Sequence, residues 1–270
     1  MSSLHVHRDD SAEADRVMTD SAPELYLRLL KRCLTRMLFP DSAFDWDLTR
    51  KPGPADPAVR EVGGDWPTEA LTMVGLRRLD NLQHCIVSVL KDRVPGDLIE
   101  TGVWRGGCGI LMRAVLEAFG DDERTVWLAD SFQGLPEPSP NEYPQDAGDV
   151  HWTLSSYIGV SLETVKQNFR QFELLDDRVK FLPGWFRDTL PAVPIERIAV
   201  LRLDGDMYES THIALSALYP KVSPGGFVVI DDFGALSRCR QAVEDYRAEH
   251  NITDPLVAID WTGVYWRRSA

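Results

Sequence analysis

Four aspartates in two short segments hold the densest chemistry in the chain: Asp204 and Asp206 in LRLDGD, and Asp231 and Asp232 in VVIDDF. Crowded carboxylates repel one another unless a cation compensates them or one keeps its proton. Hard oxygen donors in this number suit Mg²⁺ or Mn²⁺. The same acids could instead cap a following helix or form an electrostatic platform for a cationic ligand. Neighbouring strand residues point to opposite faces, so Asp231 and Asp232 share one ion only if the chain turns there. Phe233-Gly234, immediately after, supplies such a turn.

A second group lies upstream. ETGVWRGGCG places Gly102, Gly106, Gly107 and Gly109 where a backbone can turn sharply and approach a ligand. The spacing is neither the dinucleotide fingerprint nor a P-loop. Glu100-Thr101-Gly102 has the arrangement of S-adenosylmethionine-binding folds, where a Glu precedes the first glycine. The alternative is a tight turn with no ligand. Asp130-Ser131 in TVWLADSF suits the two ribose hydroxyls of a nucleoside, or equally a helix cap. Gly184-Trp185 offers an aromatic that could stack on an adenine or belong to the core. His84, His151 and His212 are weaker candidates for bases. No G-x-S-x-G elbow is present, so a serine hydrolase of that class has no support.

These residues must be positioned by something, and the hydrophobic pattern says what. Residues 1–22 are polar, acidic and without period, which predicts a disordered arm. Leu25, Leu29, Leu30, Leu34, Met37 and Leu38 repeat at helical spacing. Residues 40–67 are rich in Pro, Asp and Gly, which predicts a mobile loop. Helical patterning returns over 67–92. From Gly96 short apolar runs ending in acids or glycines alternate with helical stretches over 110–119, 162–172, 210–219 and 238–250. The runs are DLIETGV, TVWLADSF, VKFLPGWF, IAVLRLDGD and GGFVVIDDF. Alternation of this kind predicts an α/β fold with a mostly parallel sheet. LVAIDWTGVYWRR predicts a hairpin around Thr262-Gly263 and so an antiparallel edge strand. In such a sheet ligands sit outside the carboxyl ends of the strands, where every candidate above stands. The division expected is an arm over 1–22, a helical and lid region over 23–95 and a core over 96–270, with 23–270 as one integrated domain.

Composition narrows the partners. The chain has 270 residues, 42 acids and 29 bases, a net charge of −13. That charge repels phosphate backbones and anionic lipid, which argues against nucleic acid and membrane. Cys33, Cys85, Cys108 and Cys239 are dispersed, without zinc or redox spacing. Dispersed thiols and no apolar leader or spanning run predict a cytoplasmic protein.

LTMVGLRRLDNLQHC, VPGDLIETGVWRGG, RTVWLADSFQGLP, NFRQFELLDDRVKFLPGWFRDTLP, LRLDGDMYEST, VSPGGFVVIDDF and IDWTGVYWRR together span most of residues 24–270. In these segments the chain resembles the macrocin O-methyltransferase family. The resemblance implies an enzyme dependent on S-adenosylmethionine and Mg²⁺ (or Mn²⁺) that methylates a deoxysugar hydroxyl of a macrolide or aminocoumarin antibiotic. It implies a class I methyltransferase sheet with added N-terminal helices, and a homodimer or larger homo-oligomer. It implies cofactor contacts at Glu100, Thr101, Gly102, Asp130 and Ser131, with Met73, Gly184 and Trp185 looser. It implies metal ligands at Asp204, Asp231 and Asp232, and a proton acceptor at Asp204 or Asp206. Residues 40–64 and 136–160 should line the acceptor mouth; GGDWP (63–67) and the DAGD stretch lean towards an aminocoumarin-type acceptor, and 40–67 is a candidate lid. The rivals are a catechol-type methyltransferase with a phenolic acceptor, a non-catalytic nucleoside-binding protein and, disfavoured by its glycine spacing, an NAD oxidoreductase.

Overall fold

The computed structural model describes residues 21–44 and 48–269. Most of the arm expected over 1–22, including His5 and His7, lies outside the described residues. Its last two residues belong instead to a helix. Ser21 caps α1 (Ala22–Leu34), its hydroxyl accepting from the Glu24 amide while the Glu24 side chain accepts from the Ser21 amide. That reciprocal pair satisfies two amides that would otherwise lack partners, and Pro23 suits the first turn.

Where it is described, at 40–44 and 48–67, the segment expected as a loop is folded. Ser42–Phe44 pairs antiparallel with Gly53–Pro54 and with Trp66–Pro67, and a short helix covers Pro57–Glu61. A buried cation organises it. Arg60 Nε donates to both oxygens of Asp65 at 2.7 and 2.9 Å, and its Nη1 donates to Asp41 and to the Thr35 carbonyl, each at 2.9 Å. Asp41 also accepts from the Thr68 hydroxyl and from the amides of Ser42, Glu69 and Ala70. Loop-like composition concealed this because three sequence-distant polar residues do the holding.

The helix expected over 67–92 starts later, as α2 (Leu76–Lys91). Gly75 precedes it in extended conformation, pressed against the backbone of residues 61–63; a Cβ there would lie 2.2 Å from the Glu61 carbonyl. Residues 68–75 therefore run as a connector that carries Met73.

Seven strands form the main sheet: β1 (Asp97–Thr101), β2 (Val126–Asp130), β3 (Val179–Pro183), β4 (Ile198–Leu203), β5 (Val222–Ile230), β6 (Val257–Ala258) and β7 (Val264–Arg267). Their order is β3-β2-β1-β4-β5-β7-β6. The first five are parallel, and β7 runs antiparallel to β5 and to β6. All six residues of β4 are buried, as a central strand covered on both faces requires. Alternation sorts the side chains. Leu98, Leu128 and Val200 face α1, α2, α3 (Gly107–Ala118) and α4 (Leu162–Gln171). Ile99, Ala129 and Leu201 face α5 (Tyr208–Leu218) and α6 (Ser237–Glu249). The chain builds β1, β2 and β3 outward, then crosses back to place β4 beside β1. The carboxyl ends of β1 and β4 thus flank the crevice where the strand order reverses. Among the described residues no helix is long and apolar enough to cross a membrane.

Arg60→Met leaves the buried carboxylates of Asp41 and Asp65 without their cation, and should cost about 3 kcal/mol or more. Arg170→Met breaks only the exposed pair with Glu163 and should cost about 0.5 kcal/mol or less. Urea unfolding of both variants checks the contrast; equal midpoints would mean that residues 40–67 are not held by this network.

Candidate active site

At the switch point the backbones of β1 and β4 nearly touch. The Asp204 amide donates to the Thr101 carbonyl at 2.8 Å. Gly102 follows at φ +86°, and a Cβ on it would stand 1.6 Å from the Asp204 carbonyl oxygen. No other residue fits that approach. The remaining glycines of the loop press on protein. Gly107 would meet the Leu71 carbonyl at 2.5 Å, Gly109 the Leu128 side chain at 2.5 Å and Gly106 the Val165 side chain at 2.9 Å. Of the four, only Gly102 faces the cleft.

Two arginines that sequence reasoning missed stand beneath the acids. Arg202, 2% exposed and inside β4, donates from Nη1 to Glu100 at 2.8 Å and to Asp204 at 2.9 Å, and from Nη2 to Asp231. Arg78, on α2, donates to the other oxygen of Asp231 and, at 3.0 Å, to the buried Asp260. The signal for Arg202 was available: a guanidinium within the apolar run IAVLRL must meet carboxylates to be buried. Nothing separated Arg78 from its neighbour Arg77.

One oxygen each of Asp204, Asp206 and Asp232 lies within 4.8 Å of the others. Asp231 is not in that trio; both of its oxygens face arginines. Asp232 Oδ2 is buried and has no partner. Asp206 holds a left-handed φ of +60°, strained for a residue with a Cβ, at the head of the crevice. Burial pushes the Asp206 carboxyl up to about 8, with Asp204 and Asp231 adding repulsion. Burial also raises Asp232, reinforced by Asp206 and Asp204. Burial takes Glu100 up to about 8 despite Arg202. An orphaned oxygen among carboxyls forced to keep protons fits a divalent cation, whose charge would let them ionise.

On the other side of Gly102, Asp130 braces the loop. Its Oδ2 accepts from the Val103 amide at 2.6 Å and its Oδ1 from the Phe132 amide at 2.7 Å. Ser131 donates to the Gly134 carbonyl at 2.7 Å. Met73, Glu100, Asp130, Ser131 and Trp185 all line the cleft, together with the four aspartates. Thr101 and Gly184 do not. Thr101 is buried with its hydroxyl unpartnered, and Gly184 adopts φ +138° beside Thr189.

Both segments expected at the acceptor mouth reach the cleft, 40–64 through Gly63, with Asp65 and Trp66 just beyond it, and 136–160 through Pro136, His151 and Leu154. An aromatic knot ties them to the glycine loop. Tyr157 stacks on Trp66 with centroids 5.2 Å apart and packs on Trp104 at 5.6 Å, and its hydroxyl donates to the Pro67 carbonyl. Of the three candidate histidines only His151 lines the cleft. His84 packs against Phe227 and His212 stacks on Tyr208.

Comparison with known proteins agrees with this arrangement. A family model described as Macrocin-O-methyltransferase (TylF) matches residues 23–268. The chain is 53% identical, over 94% of its length and 96% of the relative's, to the 8-demethyl-8-(2,3-dimethoxy-alpha-L-rhamnosyl)-tetracenomycin-C 4'-O-methyltransferase of Streptomyces olivaceus. It is 50% identical, over 92% and 97% respectively, to the mycinamicin III 3''-O-methyltransferase of Micromonospora griseorubida. Among solved structures, the O-methyltransferase NovP matches with a TM-score of 0.87 and 47% identity over 92% of this chain and 100% of that one.

The raised carboxyls set a pH dependence. Asp206 and Glu100 ordinarily titrate near 4 and are lifted to about 8 on folding, so between those values the folded chain holds more protons than the unfolded chain. Stability of the metal-free protein should therefore fall as pH rises from 5 to 8. Added Mg²⁺ should raise the melting temperature more at pH 8 than at pH 5. Calorimetric scans at both values check this; an equal Mg²⁺ effect at the two would contradict it.

Proposed function

This chain belongs to the macrocin O-methyltransferase family, and on that premise we propose that it transfers a methyl group from S-adenosylmethionine to a deoxysugar hydroxyl of a glycosylated natural product, with Mg²⁺ or Mn²⁺ bound at the strand ends. The observation that carries the reading is the trio Asp204, Asp206 and Asp232, with its unpartnered buried oxygen, between the Glu100–Asp130 wall and the two mouth segments. The relatives' names support an O-methyltransferase on elaborate small molecules, and one of those names specifies a rhamnosyl group. They name different aglycones, so the lean towards an aminocoumarin gains no support over the others.

A sugar hydroxyl is a poor nucleophile because its pKa is far above neutrality. A bound dication would supply Lewis acidity that favours the ionised hydroxyl. Asp204 and Asp232 are the residues to hold it. Asp231, held by Arg78 and Arg202 through one contact to each oxygen, keeps a lone pair on both and lines the same cleft, so it can join them as a ligand. Asp206 accepts the hydroxyl proton: it is the third member of the trio, beside the two residues that would hold the ion, and a bound dication would leave it ionised and able to take a proton. Ser131 and Asp130 face the nucleoside end of the methyl donor and Glu100 faces its amino-acid end, while Met73 and Trp185 bound the same space. The knot of Trp66, Tyr157 and Trp104 joins the mouth segments to the glycine loop, and Trp66 and Trp104 line that space. Much of the rate comes from holding acceptor oxygen and donor methyl in line.

Asp204→Asn should abolish methyl transfer to a deoxysugar glycoside, such as 4-nitrophenyl α-L-rhamnopyranoside, while S-adenosylmethionine still binds in calorimetry. EDTA should stop the wild-type reaction and Mg²⁺ restore it. Normal turnover by the variant, or indifference to EDTA, would remove the metal from the reading.

A further inference from the structure

The stretch DAGD, residues 146–149, carries two buried acids that the reaction described above does not use. Asp146 accepts from the amides of Tyr208 and Glu209 at 2.8 and 2.9 Å. It thereby satisfies the amino end of α5 from more than sixty residues upstream. α5 begins two residues after Asp206, so this bond docks residues 146–151 beside the acids of the cleft. Asp149 follows with its side chain 2% exposed, near enough to Asp206 to repel it. Asp149 Oδ1 accepts from the His151 amide at 2.9 Å and faces His151 Nδ1 at 2.8 Å, with Arg238 at 3.7 Å.

A carboxylate against Nδ1 fixes the imidazole. In the neutral ring that donates its Nδ1 hydrogen to Asp149, Nε2 is left as a lone-pair acceptor. His151 is 37% exposed on the cleft wall, so that acceptor is open to a ligand rather than sealed in protein. A ring oriented by a buried acid, at the mouth through which the acceptor enters, is equipped to read a hydroxyl. Leu154 and Ile158, on the same segment, give the cleft wall an apolar surface beside the ring.

We propose that His151 is a specificity-determining residue whose Nε2 accepts a hydrogen bond from the sugar hydroxyl adjacent to the one methylated, and so decides which hydroxyl is presented to Asp206. The assignment rests on the sugar-methylating function proposed above. A hydroxyl donor at Nε2 anchors one ring position of the sugar; the vicinal oxygen is then the one carried to the strand ends. Without that anchor the sugar can turn and offer either oxygen. Asp149 acts only through His151, as a positioning residue.

The test compares wild type, His151→Phe and His151→Gln with 4-nitrophenyl α-L-rhamnopyranoside, reading KM, kcat and the position of the new methyl by NMR. Calorimetry with S-adenosylmethionine shows whether each variant keeps a formed cofactor site. His151→Phe keeps a ring but no acceptor. Its KM should rise about tenfold, the magnitude of one lost hydrogen bond, with a smaller change in kcat and a mixture of regioisomers. His151→Gln, which offers a carbonyl oxygen, should restore part of both. Wild-type turnover with unchanged KM and a single unchanged product in the His151→Phe variant overturns the role of His151 and leaves the methyltransferase reading intact. No transfer by wild type to this or any other deoxysugar glycoside, with S-adenosylmethionine bound, overturns the sugar-methylating reading and the role of His151 with it.

Discussion

Arg202 is buried in the middle strand of the sheet and hydrogen bonds to Glu100, Asp204 and Asp231. A guanidinium there is stable only if carboxylates surround it, and those carboxylates are stable only if something positive stays among them. The strand ends meet this condition incompletely. Arg202 and Arg78 satisfy Asp231 between them, but Asp206 and Asp232 are left without a cation of their own. The fold thus concentrates more negative charge at one crevice than its own bases neutralise. A dication bound there would complete an electrostatic set that folding leaves open.

Backbone approach makes this concentration possible. Gly102 lets the end of β1 lie against the Asp204 carbonyl, so Glu100 and Asp204 can share one guanidinium. Asp130 then bridges β2 to the loop beyond Gly102 by accepting the Val103 amide. Asp146 ties the far wall to the first turn of α5. Each of these contacts joins segments remote in sequence at a strand end. The acceptor mouth is consequently attached to the same framework as the acids.

Much of this was readable before any coordinates. The short apolar runs from Gly96 onward, alternating with helical stretches, led to the parallel sheet, and the acids at run ends led to the crevice. The long idiosyncratic segments led to the family. What escaped reading was pairing. Arg60 and Arg78 look alike in sequence to surface arginines, and their roles depend on carboxylates 5 to 182 residues away; Arg202 stood out inside an apolar run, but its partners Glu100 and Asp231 lie 102 and 29 residues off. The glycines of ETGVWRGGCG suggested ligand contact, but Gly106, Gly107 and Gly109 answer to Val165, Leu71 and Leu128, which no local rule names. Residues 40–67 were misjudged for the same reason: proline and glycine content reports local stiffness, and the buried Arg60 cluster is not local. Asp231 and Asp232 illustrate the limit most sharply. They are adjacent and identical in type, yet one is claimed by two arginines and the other is left for the cleft.

The bond from Arg78 to Asp260 has a consequence for how the chain is made. Synthesis runs from the amino end, so α2 leaves the ribosome long before residue 260 exists. Until then Arg78 lacks one of its two carboxylate partners, and the slot between β5 and β6 that β7 fills is empty. The nascent chain can gather its first five strands but cannot settle the charges beneath the crevice. Maturation of the site is therefore timed to late translation, and a chaperone that shields the half-built edge would matter most in that interval.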